Sequence, residues 1–229
     1  MARLSRLVIP GEAHLVRQAV VDGVQPFAHD ADCQTFLDSL RRAATEKGVV
    51  VHGYALLPDS WLMVCVPQAA DALGKLMQAM SRWFVTEFNR RHGRTGPLWK
   101  GRFTAGPMAA DHVLDAVAYV ELLPVQRGLA FLPAEHAWSS ARHHVLGVRD
   151  PLVAGHRALW ALGNTPFERE AAHRNVLERG LGREVTAAIE DRLLKGWAWA
   201  PGGVLDEWSE LGRRTIPLKR GRPKKVQSA

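Results

Sequence analysis

The sequence predicts an α+β domain of the ferredoxin-like, split β-α-β kind, extended by a helical C-terminal region and a basic disordered tail. Two observations carry this prediction. Stretches with helical periodicity alternate with about four strand-like runs, and a tight turn joins the middle two runs. The resulting order, β-α-β-β-α-β followed by one more helix, is that of the split β-α-β motif.

The first predicted strand and helix lie before residue 48. Strand-like patches occur between positions 7 and 21, and residues 30–47 then repeat apolar side chains every three or four positions. Asp30 or Asp32 would cap this helix, and Gly48 would end it.

A hairpin of core residues follows. The apolar run at 49–57 indicates a buried strand, residues 58–60 form the turn Pro-Asp-Ser, and the apolar run at 61–66 indicates the partner strand. The two strands joined by this turn are the middle pair in the order of the chain.

The next elements complete the predicted domain. A helix is expected from about residue 71 to the break at Gly93, and a loop then leads to a short strand near 103–108. The last helix of the domain spans about 110–126, and Pro124 would end or kink it because proline lacks a backbone N–H donor.

Composition divides the chain into a domain at 1–150, a helical region at 151–212 and a tail at 213–229. The 229 residues are 47% hydrophobic, which is enough for one core of ordinary size with an appendage. Two or three helices are expected within 154–211. Thr186, Glu190 and Arg192 would suit either a small DNA-binding bundle or a unit that packs on the core. Three tryptophans are expected to anchor the packing of this region: Trp197, Trp199 and Trp208.

The charge pattern points to a polyanionic partner. The net charge is +7, and the segment 212–229 holds seven basic residues and no acidic one, so it accounts for the whole excess. Each Lys or Arg laid on a phosphate releases a condensed counterion, so nucleic acid is the expected partner. The basic residues are Arg213, Arg214, Lys219, Arg220, Arg222, Lys224 and Lys225.

Several classes of protein are excluded. Cys33 and Cys65 stand far apart, which supports neither a disulfide framework nor a zinc site. The basic start of the chain meets Pro10 before an apolar run develops, and no later run approaches the length of a membrane span. We therefore expect a cytoplasmic, nucleoid-associated protein with no membrane partner.

Two segments are predicted to contact DNA. Residues 82–102 interleave basic and aromatic side chains, and guanidinium groups can hold phosphates while a flat ring stacks on an unpaired base. The alternative is a helix with core aromatics and a charged outer face. The predicted contacts are Arg82, Arg90, Arg91, Arg94, Trp99, Lys100 and Arg102.

The tail contains the sequence Arg220-Gly221-Arg222-Pro223, which resembles an AT-hook. Such a segment lies extended in the narrow minor groove of A/T-rich duplex DNA, where arginines find a negative potential. The alternative is a disordered basic tail that adds nonspecific affinity only.

Five segments together resemble the REP-associated tyrosine transposases of the HUH single-tyrosine superfamily. They cover about the first two thirds of the chain, in order and at compatible spacing. The segments are VIPGEAHLV at 8–16, HGYALLPDSWLMVCVP at 52–67, FNRRHGRTGPLWKGRF at 88–103, AYVELLPVQRGL at 118–129 and AWSSARHHVLG at 137–147.

The resemblance implies a particular chemistry on single-stranded or hairpin DNA. In the family, two histidines on the strand after the proline turn and a polar residue one helical turn after the tyrosine hold a divalent cation, and the tyrosine attacks a DNA phosphate. Tyr119 matches the nucleophile. The three ligand positions hold Ser60, Leu62 and Leu123 instead, so the HUH motif is degenerate and no metal ligand is predicted there.

Three functions stay open. The first is a domesticated or decayed transposase of a bacterial mobile element that binds DNA without cleaving it and needs no cofactor. The second is an active transposase that forms a covalent Tyr119–DNA intermediate and recruits Mg²⁺ or Mn²⁺ through His52, Asp59 or Glu121. The third is a protein-interaction module. His143 and His144 are expected to be solvated or structural, because no third ligand lies near them in the sequence.

Overall fold

A computed structural model of the protein describes residues 4–211 and 213–218. Within this part of the chain, four strands form one antiparallel sheet in the order β2-β3-β1-β4. This order confirms the predicted ferredoxin-like arrangement. The strands are β1 (Ala13–Ala19), β2 (Val49–Leu57), β3 (Ser60–Pro67) and β4 (Thr104–Met108).

The hairpin of β2 and β3 has a shorter turn than the sequence predicted. Leu57 pairs directly with Ser60, so Pro58 and Asp59 alone form the turn and Ser60 is the first residue of β3. Side chains of a strand alternate between the two faces of the sheet, so Ser60 and Leu62 share a face.

One face of the sheet is covered by the helices that connect its strands. These are α1 (Asp30–Lys47), α2 (Ala72–Met80) and α3 (Thr86–Arg91), and one turn of π-helix at 81–85 joins α2 to α3. Phe36, Trp61 and Phe84 are fully buried between these helices and the sheet.

The predicted start of α1 is wrong in one respect, whereas its end is confirmed. His29 occupies the N-cap position, and neither aspartate caps the helix with its side chain. Asp32 is buried instead, and it accepts hydrogen bonds from Arg91 (2.6 Å) and His92 (2.8 Å). Gly48 ends α1 in the left-handed conformation, with φ of 64°, which glycine adopts without steric cost.

The opposite face of the sheet packs against α4 (Val113–Gln126), which follows a 3₁₀ turn at 110–112. Pro124 lies inside the helix, and α4 continues past it to Gln126. Val117 and Val120 pack with Leu62 and Val64 of β3. This is the face to which Tyr119 belongs.

The C-terminal part of the chain contains more helices than the two or three predicted. After α5 (Ala141–Leu146), four further helices appear in the described residues: α6 (Arg157–Trp160), α7 (Pro166–Arg179), α8 (Arg183–Asp191) and α9 (Gly202–Ser209). None of the helices in the described residues, 4–211 and 213–218, is both long and apolar enough to cross a membrane.

The C-terminal region is tied to the free edge of the sheet. The N–H of Trp199 donates to the carbonyl of Pro107 at 2.9 Å, and the N–H of Ala109 donates to the carbonyl of Trp199 at 3.0 Å. Trp208 is buried with Leu7 and Ile9, in agreement with its predicted packing role.

Candidate functional site

The structure brings the positions singled out by the resemblance to one place. Tyr119 and Leu123 lie one helical turn apart on α4, so they share a helix face. Both belong to the same buried apolar cluster as Leu62 of β3. Ser60 lies two residues before Leu62 and is fully buried.

These residues do not fit a divalent cation. The side chains of Leu62 and Leu123 carry no donor atom, and a divalent cation of this kind requires oxygen or imidazole ligands. The remaining candidate donor, the hydroxyl of Ser60, donates a hydrogen bond to Asp59 Oδ1 at 2.9 Å.

The three suggested replacement ligands are each engaged elsewhere. Asp59 pairs with Arg127 at 3.1 Å, and the ring of His52 donates to the carbonyl of Ala154 at 2.9 Å. Glu121 follows Tyr119 by two residues, which places the two side chains about 200° apart around the helix axis. The structure therefore does not bring these three side chains together beside the tyrosine.

Tyr119 itself is closed off from solvent. The residue is only 4% exposed. Its hydroxyl donates a hydrogen bond to Glu190 Oε1 of α8 at 3.5 Å. Burial, together with the negative charge of Glu190, raises the pKa of Tyr119 to about 12. At neutral pH the side chain is a neutral phenol rather than a phenolate.

A segment of the C-terminal region, residues 189–197, covers the tyrosine; we call it the C-terminal cover. Its residues Ile189 and Leu193 join the apolar cluster around Tyr119. The cover lies so close to β4 that a Cβ atom added at Gly106 would stand 2.6 Å from the Cα of Leu193. Only glycine permits this approach of two backbones. Sequence reasoning missed the cover, although Ile189 and Leu193 were visible as an apolar pair one helical turn apart.

A second feature is a cleft of about 410 Å³ next to the start of β4. Four separate parts of the chain contribute cationic side chains to it, and none of the described residues that line it is acidic. Clustered cations attract anions such as phosphates. We call this feature the basic cleft; its cations are Arg6, Lys100, Arg102, Lys195 and Arg213.

Two arginines of the basic cleft are held rigidly. Arg6 donates to the carbonyl of Phe103 at 3.0 Å, and its guanidinium lies 3.5 Å from the centre of the Phe103 ring. Arg213 donates to the carbonyls of Ser5 and Gly196, both at 2.8 Å. Partial burial and the nearby charge of Arg102 lower the pKa of Arg6 to about 10, so the group stays protonated at neutral pH.

The fold was compared with known proteins. No protein-family model matches the chain, and no curated protein matches it. Among solved structures, a REP-associated tyrosine transposase bound to a REP hairpin aligns with a TM-score of 0.54 and 15% identity, over 68% of this chain and 93% of that chain. The chain has the fold of this transposase. A putative transposase from Deinococcus radiodurans R1 aligns with a TM-score of 0.38 and 19% identity, over 52% of this chain and 96% of that chain.

The predicted DNA contacts fall into two groups. Lys100 and Arg102 line the basic cleft, where Lys100 also pairs with Asp22 at 2.7 Å. The other basic residues lie on the π-helical turn at 81–85, on α3 and in the loop after α3. Within that group, Arg90 pairs with Glu87, Arg91 pairs with Asp32, Arg94 donates to Asn89, and Arg82 is exposed.

The indole ring of Trp99 is half-buried rather than exposed. Its ring packs against the buried rings of Phe36, Trp61 and Phe84, at centroid distances of 6.1 to 6.5 Å. We therefore assign it to the core. The AT-hook-like residues of the tail, Arg220, Gly221, Arg222 and Pro223, lie outside the described residues.

Sequence reasoning missed three cations of the basic cleft as members of one site: Arg6, Lys195 and Arg213. Arg213 was visible in the basic tail, and Arg6 in the basic start of the chain. No local pattern joins these cations, because Arg6 and Arg213 come from the two ends of the described chain.

Proposed function

We propose that the protein is a transposase-like DNA-binding protein that holds single-stranded or hairpin DNA in the basic cleft and does not cleave it. The observation that carries the proposal is the basic cleft itself, a concave surface with five cations and no acidic lining residue among those described. The structural neighbour with the same fold is bound to a REP hairpin, which supports hairpin DNA as the ligand class.

The physical case for a phosphate ligand rests on charge. Burial lowers the pKa of Arg6, and the charge of Arg102 stands close enough to lower it further. A phosphate placed among them relieves this repulsion and accepts charge-assisted hydrogen bonds. Lys100 and Lys195 are each paired with an exposed aspartate, and such surface pairs are weak enough to be exchanged for a phosphate.

The proposed absence of cleavage rests on the surroundings of Tyr119. Attack on a phosphate needs a phenolate, or a base and a cation that create one. Burial raises the pKa of Tyr119 to about 12, and the positions of the family's ligands hold Leu62 and Leu123. The C-terminal cover would also have to leave before DNA could reach the hydroxyl.

A second candidate function is supported by one observation. The hydroxyl of Tyr119 lies 3.5 Å from the carboxylate of Glu190, which could accept its proton. In this candidate the C-terminal cover opens, Tyr119 passes its proton to Glu190 and attacks a DNA phosphate, and the 3′-oxygen leaves and takes a proton from water. A bound Mg²⁺ or Mn²⁺ would polarise the phosphate. It requires ligands other than Ser60, Leu62 and Leu123.

The tail belongs to the proposal as an accessory segment. Its basic residues add electrostatic attraction to DNA, and the Arg220–Pro223 sequence would contact the minor groove of A/T-rich duplex. A DNA ligand of this kind places the protein in the cytoplasm, with the nucleoid.

The test is the salt dependence of binding to a fluorescein-labelled DNA hairpin, measured by anisotropy. Arg102→Ala removes an exposed cation of the basic cleft, and we expect uniformly weaker binding and a slope of log K against log salt that is smaller by roughly 0.7 to 1. The matched control is Arg41→Ala, which removes an exposed arginine of α1 that does not line the basic cleft and should leave both quantities unchanged. Binding that is absent or insensitive to salt would overturn the proposal and favour an interaction module.

A further inference from the structure

A buried cluster of metal-ligand side chains lies on the side of α4 that faces away from Tyr119. It joins Glu121 of α4, His144 of α5 and His173 of α7. Glu121 and His173 are buried, and the side chain of His144 is 8% exposed. We call the cluster the His–Glu triad.

The donor atoms of the triad converge. One ring nitrogen of His144 lies 2.6 Å from Glu121 Oε1, and one ring nitrogen of His173 lies 2.7 Å from Glu121 Oε2. One potential ligand atom from each residue lies within 4.8 Å of the other two. We propose that Glu121, His144 and His173 bind a divalent transition-metal ion, with Zn²⁺ as the ion of first choice.

The chemistry of the three side chains fits such an ion. Two imidazoles and one carboxylate form a known ligand set for zinc and for other first-row transition metals. With bonds of about 2.0 to 2.1 Å and a tetrahedral arrangement, ligand atoms stand about 3.3 Å apart. The present distances of 2.6 and 2.7 Å would therefore have to widen by roughly 0.6 Å, which small side-chain rotations can provide.

The carboxylate is already oriented by a neighbouring hydroxyl. The hydroxyl of Ser140 donates to Glu121 Oε1 at 2.5 Å, the kind of outer contact that fixes a metal ligand. Metal ions bind the deprotonated form of a carboxylate and the neutral form of histidine, so binding of an ion would release protons.

Each histidine of the triad uses only one ring nitrogen in the hydrogen bonds to Glu121. The other ring nitrogens, His144 Nε2 and His173 Nδ1, are buried without a hydrogen-bond partner among the described residues. A metal ion would be bound by the nitrogens that face Glu121, and each ring would then carry its proton on the other nitrogen.

Access to the triad is provided by a neighbouring cavity of about 350 Å³. His144 and His173 line this cavity, and so does Glu170, one turn before His173 on α7. The cavity gives an ion a way in. It also leaves room for a water molecule, or for the carboxylate of Glu170, as the fourth ligand.

The proposed ion has a structural role and is separate from DNA chemistry. Its ligands connect α4 and α5 of the sheet domain to α7 of the C-terminal region. Binding to the folded state alone would raise the stability of this connection. The inference stands whether or not the protein binds DNA.

The experiment measures metal binding by the untagged full-length protein, without DNA. After removal of metals with a chelator, Zn²⁺ is titrated by calorimetry, and Co²⁺ is added as a spectroscopic substitute whose visible absorption reports its coordination. We expect one ion per chain, a visible Co²⁺ spectrum that Zn²⁺ abolishes, and a higher unfolding temperature with Zn²⁺.

Two variants identify the ligands. His173→Gln should weaken Zn²⁺ binding at least tenfold and remove the Co²⁺ spectrum. His143→Gln is the matched control, because this neighbouring histidine lies on the same helix as His144 but outside the triad, and it should retain both. Absence of Zn²⁺ binding by the wild-type protein would overturn the proposal, and so would a Co²⁺ spectrum that is unchanged in His173→Gln.

Discussion

The polar side chains on the two sides of helix α4 differ in their hydrogen bonding. On one side, Tyr119 is surrounded by leucines and isoleucine, and its hydroxyl has one long hydrogen bond to an exposed glutamate. On the other side, Glu121 is fully buried and accepts three short hydrogen bonds from Ser140, His144 and His173. Two residues of sequence separate an apolar site from a polar one.

This contrast shows why a nucleophile-like residue alone does not define a catalytic site. Tyr119 lies in one cluster with Leu62 and Leu123, two positions where the resemblance implies metal ligands, and neither leucine carries a donor atom. Glu121 was considered only as a replacement ligand beside Tyr119, yet the ligand atoms that surround it lie on the opposite side of α4. The chemistry of a position depends on the side chains that the fold brings to it.

The largest expected effect is the loss of the buried carboxylate. Glu121→Ala leaves two buried histidines without their partner, and we expect the free energy of unfolding to fall by about 3 to 5 kcal/mol. Tyr119→Phe removes only a hydroxyl with a 3.5 Å contact, so its cost should stay below about 1 kcal/mol. Urea unfolding measures both. Equal losses in the two variants would contradict the contrast.

The next effect concerns the C-terminal cover. Gly106→Ala places a methyl group 2.6 Å from the backbone of Leu193, and such overpacking should cost about 1 to 3 kcal/mol. Gly74→Ala is the matched control: this glycine lies inside α2 with open space around it, so alanine should stabilise the protein by about 0.5 to 1 kcal/mol. If thermal unfolding shows Gly106→Ala to be as stable as the wild type, the cover does not rest on β4.

The smallest effect is on the ionisation of Tyr119. Its pKa is raised to about 12, so stability is unaffected below pH 10, where the tyrosine is neutral in both states. As the pH rises above 10, the tyrosine of the unfolded chain loses its proton before the buried tyrosine does. The free energy of unfolding therefore falls between about pH 10 and pH 12.

An ultraviolet titration of the phenol groups checks this prediction. The chain has only two tyrosines, and burial also raises the pKa of Tyr54, which donates to Asp150 at 2.7 Å. Folded protein should therefore show no tyrosine ionisation near pH 10, and Tyr119→Phe should lose the transition near pH 12. A tyrosine that titrates at its ordinary pKa would mean that water reaches Tyr119.

Local signals were sufficient for most of the domain. Helix α1 spans residues 30–47 as predicted, because an apolar repeat and a terminal glycine are properties of one short segment. The hairpin of β2 and β3 was predicted for the same reason. The strand order then followed from the order of the elements, because the split β-α-β motif allows few arrangements.

The sites depended on contacts that no local pattern contains. Asp32 looked like a helix cap, but in the fold it meets Arg91, 59 residues away. His144 was set aside for lack of a third ligand, and His173 turned out to lie 52 residues from Glu121 in the sequence. The basic cleft likewise joins the two ends of the described chain.

The most direct test of the central claim is a search for a covalent DNA adduct. Wild-type protein and Tyr119→Phe are incubated with labelled hairpin DNA and Mg²⁺ or Mn²⁺, and each reaction is resolved on native and denaturing gels. Our account predicts that both proteins shift the DNA on the native gel and that neither gives an adduct on the denaturing gel. An adduct that forms with the wild type and disappears in Tyr119→Phe would contradict it.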